Sequence, residues 1–130
     1  MDIVITIPSS TDWNEYKKEL DAAENDGQIL NYKVTAFPKH AGVGSKCYVV
    51  HKGYIRGYQI ISGFSVQDFQ CTTTGKYWAG KFIQRSGKFY KLDKQIACTG
   101  FRGFRYFDDV THRPYIPLPI LKPIYGKRID

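Results

Sequence analysis

The chain has 130 residues, a length typical of one domain, which buries roughly two-thirds of its unfolded surface without disulfides or metals. Its formal net charge is +7, and no run of about 20 apolar residues, the length needed to span a bilayer, occurs in it. The N-terminus lacks the basic start of a signal peptide. We therefore expect a soluble, uncleaved, cytoplasmic protein with a single domain over residues 1–130.

The charge is distributed unevenly along the chain. Residues 1–32 contain 2 Lys/Arg and 7 Asp/Glu, residues 33–105 contain 13 and 2, and residues 106–130 contain 4 and 3. The net charges of the three segments are therefore −5, +11 and +1. This uneven distribution of charge, with a strongly basic middle segment, favours an anionic partner such as a nucleic acid. Basic residues on exposed strands can also serve solubility alone.

The first 27 residues predict a strand followed by a helix. Residues 3–7 are β-branched and end at Pro8, which cannot continue a strand ladder. Asp12 with Glu15 forms a capping-box-like helix start, and Asn25-Asp26-Gly27 is a suitable stop. The apolar face of this helix would consist of Trp13, Tyr16, Leu20 and Ala23. We expect its acidic face to be a solvated surface.

From residue 28 onward, glycine turns separate segments of strand character. A strand over residues 29–37 precedes a hairpin that joins residues 46–51 to 54–62 across Lys52-Gly53. A second hairpin is predicted to join residues 77–85 to 88–92 across Ser86-Gly87, followed by a short strand over residues 95–99. The predicted class is α+β and mainly β, with six or seven strands and one N-terminal helix.

The segment from residue 113 is rich in proline and in bulky apolar residues. Its prolines are Pro114, Pro117, Pro119 and Pro123. We expect an extended C-terminal tail that packs across the sheet structure. The other interpretation is a proline-rich ligand for another protein.

Signals for catalysis and for metal binding are weak. The three cysteines, Cys47, Cys71 and Cys98, form no C-x-x-C pair and are interpreted as reduced strand residues. The three histidines, His40, His51 and His112, lack metal-ligand spacing. We therefore assign no catalytic residue and expect neither a metal nor another cofactor, nor contact with a membrane.

Two stretches interleave arginine or lysine with aromatic side chains on predicted strands. Alternation places Tyr54, Arg56 and Tyr58 on one face, which suits base stacking and phosphate pairing but also plain cross-strand packing. On the second hairpin, Lys81 and Arg85 are predicted on the solvent side. Trp78 and Phe82 are predicted to face the core.

The tandem Gly-Phe-Arg of residues 100–105 is the most unusual stretch. It places Arg102 and Arg105 three residues apart beside glycines and Phe104, so the backbone can approach a ligand while the arginines stack and pair with phosphate. In the other interpretation this is a tight corner at which phenylalanines plug one end of the barrel. The arginines would then pair with Asp108 and Asp109.

Residues 44–58, GSKCYVVHKGYIRGY, resemble the central hairpin of PUA-like domains, the superfamily of the PUA, ASCH, EVE and YTH groups. The order of strand, helix and then further strands is also similar. The resemblance implies a small pseudo-barrel that binds RNA or modified bases in DNA or RNA. The Glu and Arg of the ASCH signature are replaced by Val49 and His51, which speaks against the amidohydrolase chemistry of some ASCH proteins.

The expected function is therefore a nucleic-acid-binding module that recognises RNA or a modified base. Phosphate contacts would come from Arg56, Lys81, Arg85, Arg102 and Arg105, and base stacking from Tyr54, Tyr58 and Phe104. One alternative is a small nucleoside- or nucleotide-processing enzyme on the same fold, with Lys46, Asp68, Thr72 and Thr73 as candidates. Another is a protein-interaction module that uses the acidic helix and the Pro-rich tail.

Overall fold

A computed structural model of the chain describes residues 1–70, 75 and 77–111, except for the side chains of Phe69 and Trp78. The elements in chain order are β1 (Ile3–Thr6), α1 (Trp13–Asn25), β2 (Leu30–Val34), β3 (Lys46–His51), β4 (Tyr54–Gln70), β5 (Tyr77–Ala97), β6 (Phe104–Tyr106) and α2 (Phe107–Thr111). This confirms a mainly β fold. The predictions for the tail, for Cys71, Thr72, Thr73 and His112, and for the side chain of Trp78 lie outside the described residues.

The six strands form one sheet in the order β2-β5-β4-β3-β1-β6, and the sheet curls into a half-barrel. β1 pairs in parallel with β3, whereas the other neighbours are antiparallel. Curling brings the two edge strands toward each other. The hydroxyl of Tyr32 in β2 donates to the carbonyl of Gly103, just before β6, at 3.0 Å.

α1 begins and ends where the sequence predicts. The Asp12 side chain accepts from the amide of Asn14 at 2.9 Å, and Gly27 follows the helix at φ +70°. Glu15 does not complete a capping box, because its carboxylate binds Lys18 at 3.1 Å. The predicted apolar face is confirmed, since the side chains that it turns to the sheet are buried: Tyr16, Leu20 and Ala23.

The sheet buries side chains on both faces. The face under α1, here called the helix-side core, contains Ile3, Ile5, Cys47, Val49, Ile61 and Ile83, among others. The opposite face, here called the outer core, is built around Val4, Tyr48, Val50 and Ile55. Neighbours along β1 and β3 therefore alternate between two cores, as the period of a strand requires.

β4 contains a bulge at Arg56 that the sequence does not predict. The Lys52-Gly53 turn before it is confirmed, with φ of 50° and 86°. Val50 pairs with Ile55 and Val49 with Gly57, so Arg56 has no partner on β3. The extra residue reverses the alternation, and Ile55 lies in the outer core while Ile61 lies in the helix-side core. The prediction that Tyr54, Arg56 and Tyr58 share one face is wrong for that reason, because Arg56 lies beside α1 whereas Tyr58 packs on the outer core.

The predicted hairpin across Ser86-Gly87 is also wrong. β5 continues through it from Tyr77 to Ala97 and includes most of the short strand predicted over residues 95–99. Ser86 pairs with Ile60, and Gly87 has φ +79° at an irregularity of the ladder. A glycine at positive φ is compatible with a bulge as well as with a turn, so the local sequence does not distinguish the two.

The helix α2, with five residues, was not predicted either. A single helical turn contains too few residues to show a period in the sequence. Phe107, its first residue, stacks on Tyr48 with ring centroids 4.0 Å apart, so packing on the outer core stabilises this turn.

Gly57 is the point of closest approach between β4 and β5. A Cβ added there would lie 2.4 Å from the carbonyl oxygen of Tyr90 and 2.5 Å from Cζ of Phe89. Since the nearer atom belongs to the backbone, no side-chain rotation relieves the overlap. Glycine at this position lets the Phe89 ring cross β4 toward α1.

We expect Gly57→Ala to lower the free energy of unfolding by about 2 kcal/mol or more, because β5 must move away from β4 to accommodate the methyl group. Urea unfolding followed by circular dichroism measures the change. Gly42→Ala is the matched control, because a Cβ at Gly42 meets nothing within 4 Å. Equal stability of the two variants would contradict the argument.

Candidate ligand pocket

A cavity of about 360 Å³ lies between α1 and the strands β4 and β5. Its helix wall is formed by Trp13, Lys17, Leu20, Asp21 and Glu24. Its strand wall is formed by Arg56 of β4 and by Phe89, Lys91 and Gln95 of β5. We call this cavity the α1 pocket. Its volume is in the range of small-molecule binding sites.

The helix wall follows from the spacing of its residues. Side chains three or four positions apart on a helix share a face, and the five pocket residues of α1 form such a stripe. The stripe lies at the border of the buried face of the helix, where Leu20 belongs to both. The pocket therefore lies between this border of α1 and the strands β4 and β5.

Aromatic rings build one end of the α1 pocket. The indole of Trp13 stacks on the imidazole of His51 with centroids 5.3 Å apart and meets the Phe89 ring edge-on at 6.1 Å. His51 is itself buried, and its Nε2 hydrogen-bonds the carbonyl of Thr11 at 2.9 Å. Trp13 thus has a fixed orientation and stays half-buried at the edge of the cavity.

Arg56 points into the α1 pocket because of the bulge in β4. Its Nε donates to the carbonyl of His51 and its Nη1 to Oε1 of Gln95, each at 3.0 Å. In residues 1–70, 75 and 77–111 it has no carboxylate within 4.0 Å. Two hydrogen bonds therefore orient a half-buried guanidinium, whose other N–H groups have no acceptor among the described residues.

The charges of the α1 pocket are divided between its walls. The strand wall contributes Arg56 and Lys91, while the helix wall contributes Asp21 and Glu24 beside Lys17. None of these cations forms an ion pair with either carboxylate among the described residues. The cavity offers donors on one side and acceptors on the other, which suits a ligand that carries both hydrogen-bond acceptors and N–H groups.

Arg85 is not on the solvent side, and this prediction is wrong. Alternation correctly places it on the same face as Ile83, but α1 packs over that face, and Arg85 is only 3% exposed. Its Nη1 donates to the hydroxyl of Tyr16 at 2.7 Å, and its Nε has no hydrogen-bond partner among the described residues. Arg85 therefore fixes α1 on the sheet and does not reach a phosphate. Phe82, predicted as core, is confirmed at 2% exposure.

Two further polar side chains accompany Arg85 under the helix. Gln59 is fully buried and donates from Nε2 to the carbonyl of Gly87 at 3.2 Å, while its Oε1 finds no donor in the part of the chain that the structure describes. Cys47 lies opposite Gln59 in the β3–β4 pairing. Burial raises the pKa of its thiol to about 11, against a smaller lowering by Arg85. Burial likewise raises the pKa of the Tyr16 hydroxyl.

The other predicted site residues do not gather around one centre. Arg56, Arg102 and Arg105 line three different cavities, so they do not share a single concave face. Arg105 lies over the ring of Phe101 at 4.9 Å. Lys81 is exposed, with Nζ 5.7 Å from the ring of Phe37. The basic surface is thus distributed around the half-barrel.

The predicted stacking residues also differ in their surroundings. Tyr54 is 46% exposed, and its ring lies 5.6 Å from the guanidinium carbon of Arg56. Tyr58 faces the outer core, between Tyr48 and Tyr90. Phe104 is half-buried against the helix-side core, whereas Phe101 and Phe107 pack on the outer core, so the three phenylalanines do not plug one end of the half-barrel together.

Sequence reasoning missed most of the α1 pocket. The sequence predicts Trp13 as part of the apolar helix face and gives no reason to select Lys17, Phe89, Lys91 or Gln95 as site residues. The available signal was the polar stripe beside the apolar face of α1. In the described residues, no group of three or more His, Cys, Asp or Glu could hold a metal. None of the helices there is both long and apolar enough to cross a membrane.

We expect Tyr16→Phe to lower the free energy of unfolding by about 2 kcal/mol, since the buried Nη1 of Arg85 loses its acceptor. Urea unfolding at neutral pH measures this change. Tyr77→Phe is the control, because Tyr77 is 66% exposed and should change stability little. A Tyr16→Phe protein as stable as that control would refute the structural role of the Tyr16–Arg85 bond.

The raised thiol pKa of Cys47 predicts a loss of stability in alkali. Below pH 9 the thiol is protonated in both the folded and the unfolded state, and between pH 9 and about 11 only the unfolded state ionises. Unfolding then releases a proton, so stability falls as pH rises, by about 2 kcal/mol at pH 11. Urea unfolding from pH 7 to 11 should show a flatter decline for Cys47→Ala. Parallel declines would contradict the assignment.

Comparison with known proteins adds no family assignment. The chain matches no protein-family model, and neither curated proteins nor solved structures give a significant match.

Proposed function

We propose that this chain is a nucleic-acid-binding module of PUA-like type that recognises RNA or a modified base, and that the α1 pocket holds the base. The observation that carries the proposal is the guanidinium of Arg56, which two hydrogen bonds fix beside the Trp13 and Phe89 rings in a cavity of about 360 Å³ and which has no carboxylate within 4.0 Å among the described residues. An aromatic face stacks on a nucleobase, and a guanidinium donates to its ring nitrogens and carbonyls.

The distribution of charge argues for the base, and not the phosphate, inside the cavity. Asp21 and Glu24 on the helix wall would repel a phosphate but accept hydrogen bonds from the N–H groups of a base. The phosphates would then lie outside the cavity, toward Lys17 and Lys91. A mixed donor and acceptor edge is typical of nucleobases and rare among simple anions.

The PUA-like assignment is supported by the hairpin of residues 44–58 and by the order of elements. A first strand, a helix and then strands that curl into a half-barrel agree with what that resemblance implies. Among the predicted phosphate contacts, Lys81, Arg102 and Arg105 are exposed and stay in the proposal. Arg85 is withdrawn because it is buried.

The experiment is binding of fluorescently labelled single-stranded RNA and DNA, with and without methylated bases, followed by anisotropy at two salt concentrations. We expect Trp13→Ala to weaken binding about tenfold, since stacking on one aromatic ring contributes about 1–3 kcal/mol. Arg56→Lys should also weaken binding, since lysine keeps the charge but loses the planar fork of N–H donors. Affinity should also fall with salt, because phosphate contacts release counterions.

Lys39→Ala is the matched control, because it removes one exposed charge away from the α1 pocket. It should reduce affinity about as much as the removal of any other single surface charge, and it should leave the preference among bases unchanged. Circular dichroism checks that each variant is folded. Binding that is insensitive to salt, or equally strong in wild type, Trp13→Ala and Arg56→Lys, would overturn the proposal.

The enzyme alternative gains no support from a specific contact. Of its candidate residues, Lys46 and Asp68 do not line the α1 pocket, and Thr72 and Thr73 lie outside the described residues. The ammonium of Lys46 lies 4.9 Å from the ring of Tyr58, on the opposite face of the sheet from α1.

A further inference from the structure

The second half of β5 has an open edge. β2 pairs only with residues 81–85 of β5, and Arg85 is the last of them, opposite Leu30. From residue 86 to the end of the strand, β4 is the one neighbouring strand within the described residues. Among the described residues, no strand therefore pairs with the side of β5 that faces away from β4 along the stretch that contains Phe89, Tyr90 and Lys91.

Two different surfaces meet at this edge. Phe89 and Lys91 point to the α1 pocket, while Tyr90 between them points to the opposite face of the sheet. There the Tyr90 ring stacks on Tyr58 with centroids 4.9 Å apart and planes 17° from parallel. Adjacent residues of one strand thus present the mouth of the pocket on one side and a tyrosine ring on the other.

Tyr90 is the exposed end of a continuous row of rings. Phe107 stacks on Tyr48 at 4.0 Å, Tyr48 meets Tyr58 at 5.2 Å, and Tyr58 meets Tyr90 at 4.9 Å. Tyr48 is buried, whereas Tyr90 is 42% exposed. A row that is anchored by the buried ring of Tyr48 provides a preorganised surface on which a further planar ring can stack.

The open edge is basic. Lys88, Lys91 and Lys94 are exposed, and none of them forms an ion pair among the described residues. The ammonium of Lys88 lies 5.4 Å from the Tyr90 ring. Asp93 is the one carboxylate that the sequence contains between residues 77 and 97. Cations spaced along an edge between two ring-binding surfaces complement a phosphodiester backbone.

From these features we infer that the ligand is a single-stranded segment whose backbone crosses the open edge of β5, with one base in the α1 pocket and an adjacent base stacked on Tyr90. The inference rests on the proposed function, because it assumes a base in the α1 pocket. A paired duplex does not fit, since the two bases must separate to reach opposite faces of the sheet. Stacking on tyrosine is tolerant of base identity, so selectivity lies in the pocket.

The test compares two probes on the full chain: nucleoside 5′-monophosphates, followed by isothermal titration calorimetry, and a mixed-sequence RNA hexanucleotide, followed by anisotropy. Tyr90→Ala should weaken the hexanucleotide about tenfold and leave the monophosphates unchanged. Tyr90→Phe should bind like wild type, because it keeps the ring. Tyr77→Ala, which removes an exposed tyrosine elsewhere on β5, is the matched control.

The outcomes separate this inference from the proposed function. If Trp13→Ala weakens both probes but Tyr90→Ala weakens neither, the crossing of the β5 edge is refuted and the pocket proposal stands. If Trp13→Ala weakens neither probe, the pocket proposal itself fails. A duplex of the same sequence that binds as tightly as the single strand would also refute the inference.

Discussion

The close contact of β5 with β4 at Gly57 is the constraint on which the functional side of this protein depends. A backbone carbonyl and the Phe89 ring occupy the space in which any other residue would place its Cβ. The same short stretch of β4 contains the bulge that frees Arg56 from strand pairing. Together the glycine and the bulge bring an arginine and a phenyl ring from two strands to the same side of the sheet, under α1.

The Tyr16–Arg85 hydrogen bond gives that arrangement a second fixed point. A guanidinium that is 3% exposed and has no carboxylate partner in the described residues costs free energy to bury, and a hydroxyl at 2.7 Å offsets part of that cost. Because Tyr16 and the pocket residue Lys17 are neighbours on α1, the bond also sets the distance between helix and sheet. A polar contact thus contributes, beside the apolar packing of Leu20 and Ala23, to holding α1 on the sheet next to the α1 pocket.

The fold places residues of the acidic and the basic segment of the chain on opposite walls of the α1 pocket. The acidic N-terminal segment becomes the helix wall of the α1 pocket, with Asp21 and Glu24, and the basic middle of the chain becomes the strand wall, with Arg56 and Lys91. Acidic and basic side chains therefore line opposite walls of a cavity of about 360 Å³, and they form no ion pairs in the described part of the chain. Opposite walls of this kind orient a polar heterocycle more effectively than a uniformly basic surface would.

The sequence by itself determined the elements whose signals are local. The cap at Asp12, the buried face of α1 and the Lys52-Gly53 turn depend on residues a few positions apart, and each is seen in the structure. Tertiary structure alone decided the bulge at Arg56 and the passage of β5 through Gly87, because a glycine or an unpaired residue has the same local preferences in a bulge as in a turn.

The sequence does not predict where the arginines lie in the fold, because their surroundings depend on elements that are distant in the chain. Strand alternation says which residues share a face with Arg85, but only the packing of α1 makes that face an interior. Arg102 and Arg105 are close in sequence, yet a corner at Gly103, with φ +69°, directs them to different cavities. The sequence determined that the protein is basic and rich in aromatic residues, whereas the fold decided that Arg56 is the arginine that meets Trp13 and Phe89.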